Sequence, residues 1–124
     1  MNLLWIGLGG ALGAISRYLS AQLALKIFPF MAFLGTLIVN SLGSFLIGFL
    51  FFYFKKNVVS SLWESLFIVG FLGGYTTFST YVLETYQFFL KGEIKLVFTN
   101  ILLHHLLCFL FVFLGAILGK SFNN

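Results

Sequence analysis

Acidic side chains are scarce in this sequence, and proline and cysteine are nearly missing from it. Three Glu and no Asp stand against seven Lys and Arg in 124 residues, and charged side chains make up 8% of the chain. A soluble domain typically has about 25% charged residues, so a water-facing surface of ordinary composition cannot be assembled here. The single cysteine, Cys108, lies inside an apolar run; it excludes an internal disulfide framework and a Cys-rich metal site. The basic residues are scattered at segment ends without a basic tract, which argues against nucleic acid as a partner. No nucleophile, base and orienting group occur in a set, so an enzyme is not expected. Gly7-Leu8-Gly9-Gly10-Ala11-Leu12 lacks the last glycine of a dinucleotide fingerprint and follows no strand pattern. With no Lys or Arg before Arg17, the start of the chain does not read as a cleavable signal.

What is present is apolar: 60% of the residues are hydrophobic and 18 are Phe. A membrane-spanning helix needs about 20 mostly apolar residues, so the chain holds four spans and little else. They are expected at 3–24, 30–54, 62–90 and 94–118, as one all-α transmembrane domain over residues 1–124. Pro29 marks the first break, because the residue before a proline is pushed out of the helical region. Ser61-Leu62-Trp63-Glu64 reads as a capping box opening the third span, with Ser61 as N-cap and Glu64 reaching back. The third span should be helical over 62–71 and interrupted at Leu72-Gly73-Gly74-Tyr75-Thr76-Thr77, a poor helix interior, before resuming at Phe78. Backbone freed at membrane depth is tolerated only inside protein or beside a polar cavity, and such breaks commonly build ion sites.

Orientation is poorly encoded. Lys55, Lys56 and Lys120 lie on one side, and Lys26, Lys91 and Lys95 on the other, so the usual excess of cytoplasmic Lys and Arg is lacking. Either a weak signal still sets one direction, or copies insert both ways and pair antiparallel about an axis in the membrane plane.

Polar side chains in hydrocarbon are costly and tend to mark pathways. Thr36, Asn40 and Ser44 lie four apart in the second span with Gly48 beyond, on one helix face. Asn100, His104 and Cys108 form a second such stripe in the fourth span, with His105 beside it facing elsewhere. Each stripe reads either as glue between helices or as donors along an ion path. A metal site is a weaker reading of the second, which has no carboxylate nearby. Gly9 and Gly13 suit close helix packing. Arg17 either snorkels to the interface or attracts anions at a vestibule. Glu64 is read as a cap, Glu93 falls in a loop, and Glu84 is expected to bond near the far end of the third span. A proton-coupled cation exporter of the small multidrug type, also four-helix and antiparallel, is the alternative class; it needs a central acid in the first span, and none is there. Amide, hydroxyl and imidazole donors with positive aromatic edges suit an anion instead.

Three motifs then carry a resemblance. Gly9-Gly10-Ala11-Leu12-Gly13-Ala14-Ile15-Ser16-Arg17-Tyr18, Gly35-Thr36-Leu37-Ile38-Val39-Asn40-Ser41-Leu42-Gly43-Ser44-Phe45 and Gly70-Phe71-Leu72-Gly73-Gly74-Tyr75-Thr76-Thr77-Phe78-Ser79-Thr80 agree in order and spacing with the Fluc/CrcB fluoride channels. The chain resembles that family over essentially its whole length. The resemblance implies a fluoride-selective channel that exports cytoplasmic fluoride passively through the cell inner membrane and gives fluoride resistance. It implies an antiparallel, dual-topology homodimer (some members pair with a paralogue instead). It also implies a structural Na+ at the dimer centre, held by the backbone carbonyls of Gly73 and Thr76. The pore asparagine falls on Asn40 with Thr36 a turn away, the vestibule arginine on Arg17, and the pore aromatics on Phe78 and Tyr81, with the hydroxyls of Ser79 and Thr80 beside them. Tyr81 departs from the family's phenylalanine. Asn100, His104 and Cys108 replace the family's Tyr and Ser polar track, with donor capacity expected to survive at Asn100 and His104.

Overall fold

The computed structural model describes residues 2–57 and 59–122, with only the backbone of Lys56. The Lys56 side chain, counted in the charge balance above, lies outside the described residues. The chain forms α1 (Asn2–Ile27), α2 (Phe33–Asn57), α3 (Ser61–Trp63), a π-helical segment (Glu64–Leu72), α4 (Gly73–Tyr75), α5 (Phe78–Leu90) and α6 (Ile94–Ser121). No strand occurs among the described residues. Four stretches are long and apolar enough to cross a membrane: Asn2–Ile27, Phe33–Lys55, Ser61–Leu90 and Ile94–Ser121. The protein is an all-helical, multi-pass membrane protein.

Two glycine-lined seams set the packing. α1 lies along the π-helical segment, and α2 lies along α6. On the first seam, a Cβ at Gly9 would meet the Phe71 nitrogen at 2.8 Å, and one at Gly70 would meet the Gly9 Cα at 3.0 Å. On the second, a Cβ at Gly48 would sit 3.1 Å from the Ala116 nitrogen, and one at Gly115 would sit 3.0 Å from the Phe49 nitrogen. Backbones come this close only where side chains are missing. In a bilayer, such contact replaces the hydrophobic drive that lipid cannot supply between helices.

The boundaries move for local reasons. α2 is expected from residue 30 but begins at Phe33, because Pro29 and Phe30 form a turn after α1. The capping box at Ser61 is not formed. Ser60 is the N-cap, in extended conformation (φ −62°, ψ 148°) and without a side-chain cap bond. Helix entry one residue earlier shifts Glu64 from the third helical position to the fourth, where it cannot close the box. α5 and α6 are joined by a tight turn in which Gly92 takes φ 72°, a conformation that favours glycine.

The glycine pair lies within helical backbone instead of interrupting it. Gly73 is right-handed helical (φ −61°, ψ −36°) and helix continues to Tyr75. Gly74 serves packing, since a Cβ there would meet the Gly10 Cα at 3.1 Å. Within the third span, Ser61–Leu90, the extended backbone lies at Thr76 (φ −82°, ψ 155°) and Thr77 (φ −149°, ψ 120°).

The seam generates a test. Gly9→Val should overpack it and cost about 1–3 kcal/mol or more. Gly7→Ala, where a Cβ meets nothing within 4 Å, should leave the unfolding midpoint unchanged. Thermal unfolding in detergent separates them; equal midpoints for both variants would show that the seam contributes nothing.

Candidate functional site

Two consecutive residues out of helix leave several backbone groups without helical partners, and an unpaired buried polar group costs about 1–3 kcal/mol. The neighbouring side chains answer that need. Asn40 on α2 faces Thr77 and pairs with it twice. Its Nδ2 donates to the Thr77 carbonyl at 2.9 Å, and its Oδ1 accepts from the Thr77 N–H at 2.8 Å. The Asn40 carboxamide thus does for Thr77 what a neighbouring strand would do. Thr77 also caps α5, accepting at its Oγ1 from the Thr80 N–H at 3.3 Å and donating to the Thr80 hydroxyl at 3.1 Å. The Ser79 hydroxyl lies 3.3 Å from the same oxygen. Sequence reasoning did not single out Thr77, although a threonine just ahead of a renewed helical run is an N-cap signal.

These bonds have a second effect. In an unbroken helix the Gly73 carbonyl would accept from the Thr77 N–H, and the Thr76 carbonyl from the Thr80 N–H. Both N–H groups go elsewhere, to Asn40 and to the Thr77 hydroxyl. Arg17 on α1 donates from Nη1 to the Thr76 carbonyl at 3.3 Å, so the arginine reaches the interruption itself. A carbonyl has two lone pairs, so that contact leaves acceptor capacity on Thr76.

An open cavity of about 480 Å³ borders the interruption. Asn40, Gly73, Thr76, Phe78, Tyr81, His104 and Cys108 all line it, together with Ser44, Thr77 and His105. No Asp, Glu, Lys or Arg is in the lining. His105 was expected to face elsewhere. It shares the wall because the cavity is wide enough to meet two adjacent positions of α6. The Tyr81 ring lies 4.3 Å from that of His104 and 5.5 Å from that of Phe78, centroid to centroid. Tyr81 is buried, while Phe78 is 73% exposed.

Arg17, Thr36, Ser79, Thr80 and Asn100 are not in the lining. The Thr36 hydroxyl donates to Glu84 Oε1 at 2.6 Å, so its proton is committed to a carboxylate. Asn100 is fully buried and donates from Nδ2 to the Thr85 hydroxyl at 3.0 Å. His104 Nδ1 lies 3.1 Å from the Asn100 carbonyl. A carbonyl can only accept, so Nδ1 carries the proton of the neutral ring and Nε2 is left with a lone pair. Asn100 thus spends one of its two amide N–H donors on Thr85, and the proton of the neutral His104 imidazole faces the Asn100 carbonyl. Burial on α6 turns both groups toward protein partners, while Asn100 Oδ1 and His104 Nε2 have none.

The chain matches the family described as CrcB-like protein, Camphor Resistance (CrcB), over residues 4–116. It is 45% identical over 116 residues to a fluoride-specific ion channel FluC of a Nitratiruptor species, covering 94% of this chain and 90% of that one. The fluoride-specific ion channel FluC of Campylobacter jejuni is 43% identical over 119 residues, covering 96% and 98%. That of Coxiella burnetii is 38% identical over 123 residues, covering 98% and 99%.

The Asn40 pairing makes an energetic prediction. Asn40→Leu keeps the branched shape but strands one donor and one acceptor of Thr77, so it should cost about 2–6 kcal/mol. Ser44→Ala removes only a bond back to the Asn40 carbonyl within α2, at 2.7 Å, and should cost about 1 kcal/mol or less. Thermal unfolding of the two variants, with amide exchange at Thr77 in the first, reads the difference. Equal stability would mean the pairing is not formed.

Proposed function

The chain belongs to the CrcB-like family, and from that premise we propose that it is a fluoride-selective channel, exporting cytoplasmic fluoride passively across the cell inner membrane. The observation that carries this reading is the near full-length similarity to proteins named fluoride-specific ion channels. The cavity's chemistry supports it. A small, hard anion surrenders a costly hydration shell, and a wall free of carboxylates does not repel it. Aromatic edges at Phe78 and Tyr81 present positive potential. The N-terminus of α5 adds the positive end of a helix dipole. The rival, a proton-coupled cation exporter, needs a titratable acid to trade protons for substrate. The first span carries none, and Glu84 is bonded to Thr36.

The working unit in this reading is two copies inserted antiparallel. Phe78, 73% exposed, and Gly73, where a Cβ meets nothing within 4 Å, leave room on that wall for a second chain. Asn40, Phe78 and Tyr81 would line the path and replace water. Thr36, Ser79, Thr80 and Asn100 would brace it through the bonds described, and His104 and Cys108 would close its α6 side. Arg17 would raise the local positive potential beside the interruption. The resemblance also implies a structural Na+. The donor set fits it: the Gly73 and Thr76 carbonyls have lost their helical N–H partners, and hard oxygens suit a hard cation. One chain offers two such oxygens and its twin would offer two more. Bound there, the ion would offset the partial negative charge of carbonyl oxygens that lack helical donors.

The driving force needs no energy source beyond the membrane. Hydrogen fluoride crosses neutral and dissociates in the more alkaline cytoplasm. The negative interior then favours fluoride exit by about 2.3 kcal/mol per 100 mV for each charge.

Purified protein in liposomes should release fluoride, read by an electrode, with little chloride flux, and removal of Na+ should slow it. Phe78→Ala should lower the rate at least about tenfold, roughly 1.4 kcal/mol at the barrier, while the particle keeps its dimeric size. Absence of fluoride efflux together with proton-coupled uptake of a cationic dye would overturn the reading in favour of the exporter.

A further inference from the structure

We propose that His104 and Cys108 form a two-ligand site for a soft, closed-shell monovalent cation, copper(I) or silver(I), on the α6 wall of the cavity. Three observations combine. His104 is 5% exposed, and its Nε2 has no hydrogen-bond partner. Its Nδ1 is turned back toward the Asn100 carbonyl at 3.1 Å. Cys108 is a free, half-buried thiol one helical turn further on, lining the same cavity.

The bond to Asn100 fixes the ring. With Nδ1–H held by a backbone carbonyl, Nε2 keeps its lone pair and is directed away from that carbonyl. This is how metal-ligating imidazoles are held: one nitrogen donates to a fixed acceptor and the other is free to ligate. Tyr81 packs against the ring at 4.3 Å and restricts its rotation. Positions four apart share a helix face, and each Cβ tilts toward the N-terminus, so Cys108 leans back over the turn that carries His104.

The donor set chooses the metal. Among the described residues, no three His, Cys, Asp or Glu side chains come together as a metal site. A closed tetrahedral zinc centre is therefore not built here. Thiolate with imidazole suits copper(I), which accepts two ligands in line. Binding forms the S–metal bond as the Cys108 S–H releases its proton to solvent; nothing is oxidised or reduced. One monovalent cation, one thiolate and one neutral imidazole sum to zero charge. That matters in a low-dielectric wall, where a divalent ion on the same ligands would leave a net positive charge to desolvate.

The test is a copper(I) titration of the purified protein in detergent, free of oxygen and under reducing conditions, against a colorimetric copper(I) chelator. This readout does not depend on fluoride conduction, so it stands or falls apart from the channel assignment. Expected are one copper(I) withheld per chain, affinity lowered at least about tenfold in Cys108→Ser and in His104→Gln (about 1.4 kcal/mol), and no comparable loss in His105→Gln. Should His104→Gln fail to fold, Cys108→Ser alone decides. Wild type and Cys108→Ser titrating alike, or a wild type that withholds no copper from the chelator, would overturn the proposal.

Discussion

Everything at the centre of this protein follows from one pair of hydrogen bonds, those between the Asn40 carboxamide and the backbone of Thr77. Hydrocarbon offers no water to satisfy loose peptide groups, so extended backbone at membrane depth needs partners from the protein itself. A carboxamide carries a donor and an acceptor on two separate atoms of one planar tip, whatever the pH. It can therefore answer an N–H and a C=O of the same residue. Leucine at position 40 could do neither, and an ionised aspartate could only accept.

The remaining contacts hold that pair in register. The Gly48 and Gly115 seam fixes α2 against α6, which sets the height of Asn40. The Gly9, Gly70 and Gly74 seam fixes α1 against the π-helical stretch, bringing Arg17 within reach of the Thr76 carbonyl. Diverting the N–H groups of Thr77 and Thr80 frees the carbonyls of Gly73 and Thr76. Satisfying one set of backbone groups thus leaves another set available. The interruption thus combines carbonyl oxygens that lack helical donors with the positive N-terminal end of α5.

Much of this was legible in the residues. The four spans follow from apolar length, and the importance of Asn40 from an amide at mid-membrane on a face shared with Thr36 and Ser44. The glycine pair misled in a physically instructive way. Gly73-Gly74 has low helix propensity, yet Gly74 is held in helix by tertiary contact with Gly10, and the irregular backbone falls on Thr76 and Thr77. Propensity is a weak prior where packing decides. The capping box failed because its reading depends on a one-residue frame, and Ser60 and Ser61 offer two frames. Partner choice was not legible at all. That Thr36 donates a hydrogen bond to Glu84, or Asn100 one to Thr85, depends on which helix faces meet, and periodicity leaves that open.

The most direct test of the account is solid-state NMR of the labelled protein in liposomes, looking for a through-space correlation between the Asn40 side-chain carboxamide and the Thr77 amide. The account predicts that correlation together with extended backbone shifts at Thr76 and Thr77. Helical shifts at both residues, with the Thr77 N–H bonded to the Gly73 carbonyl, would contradict it.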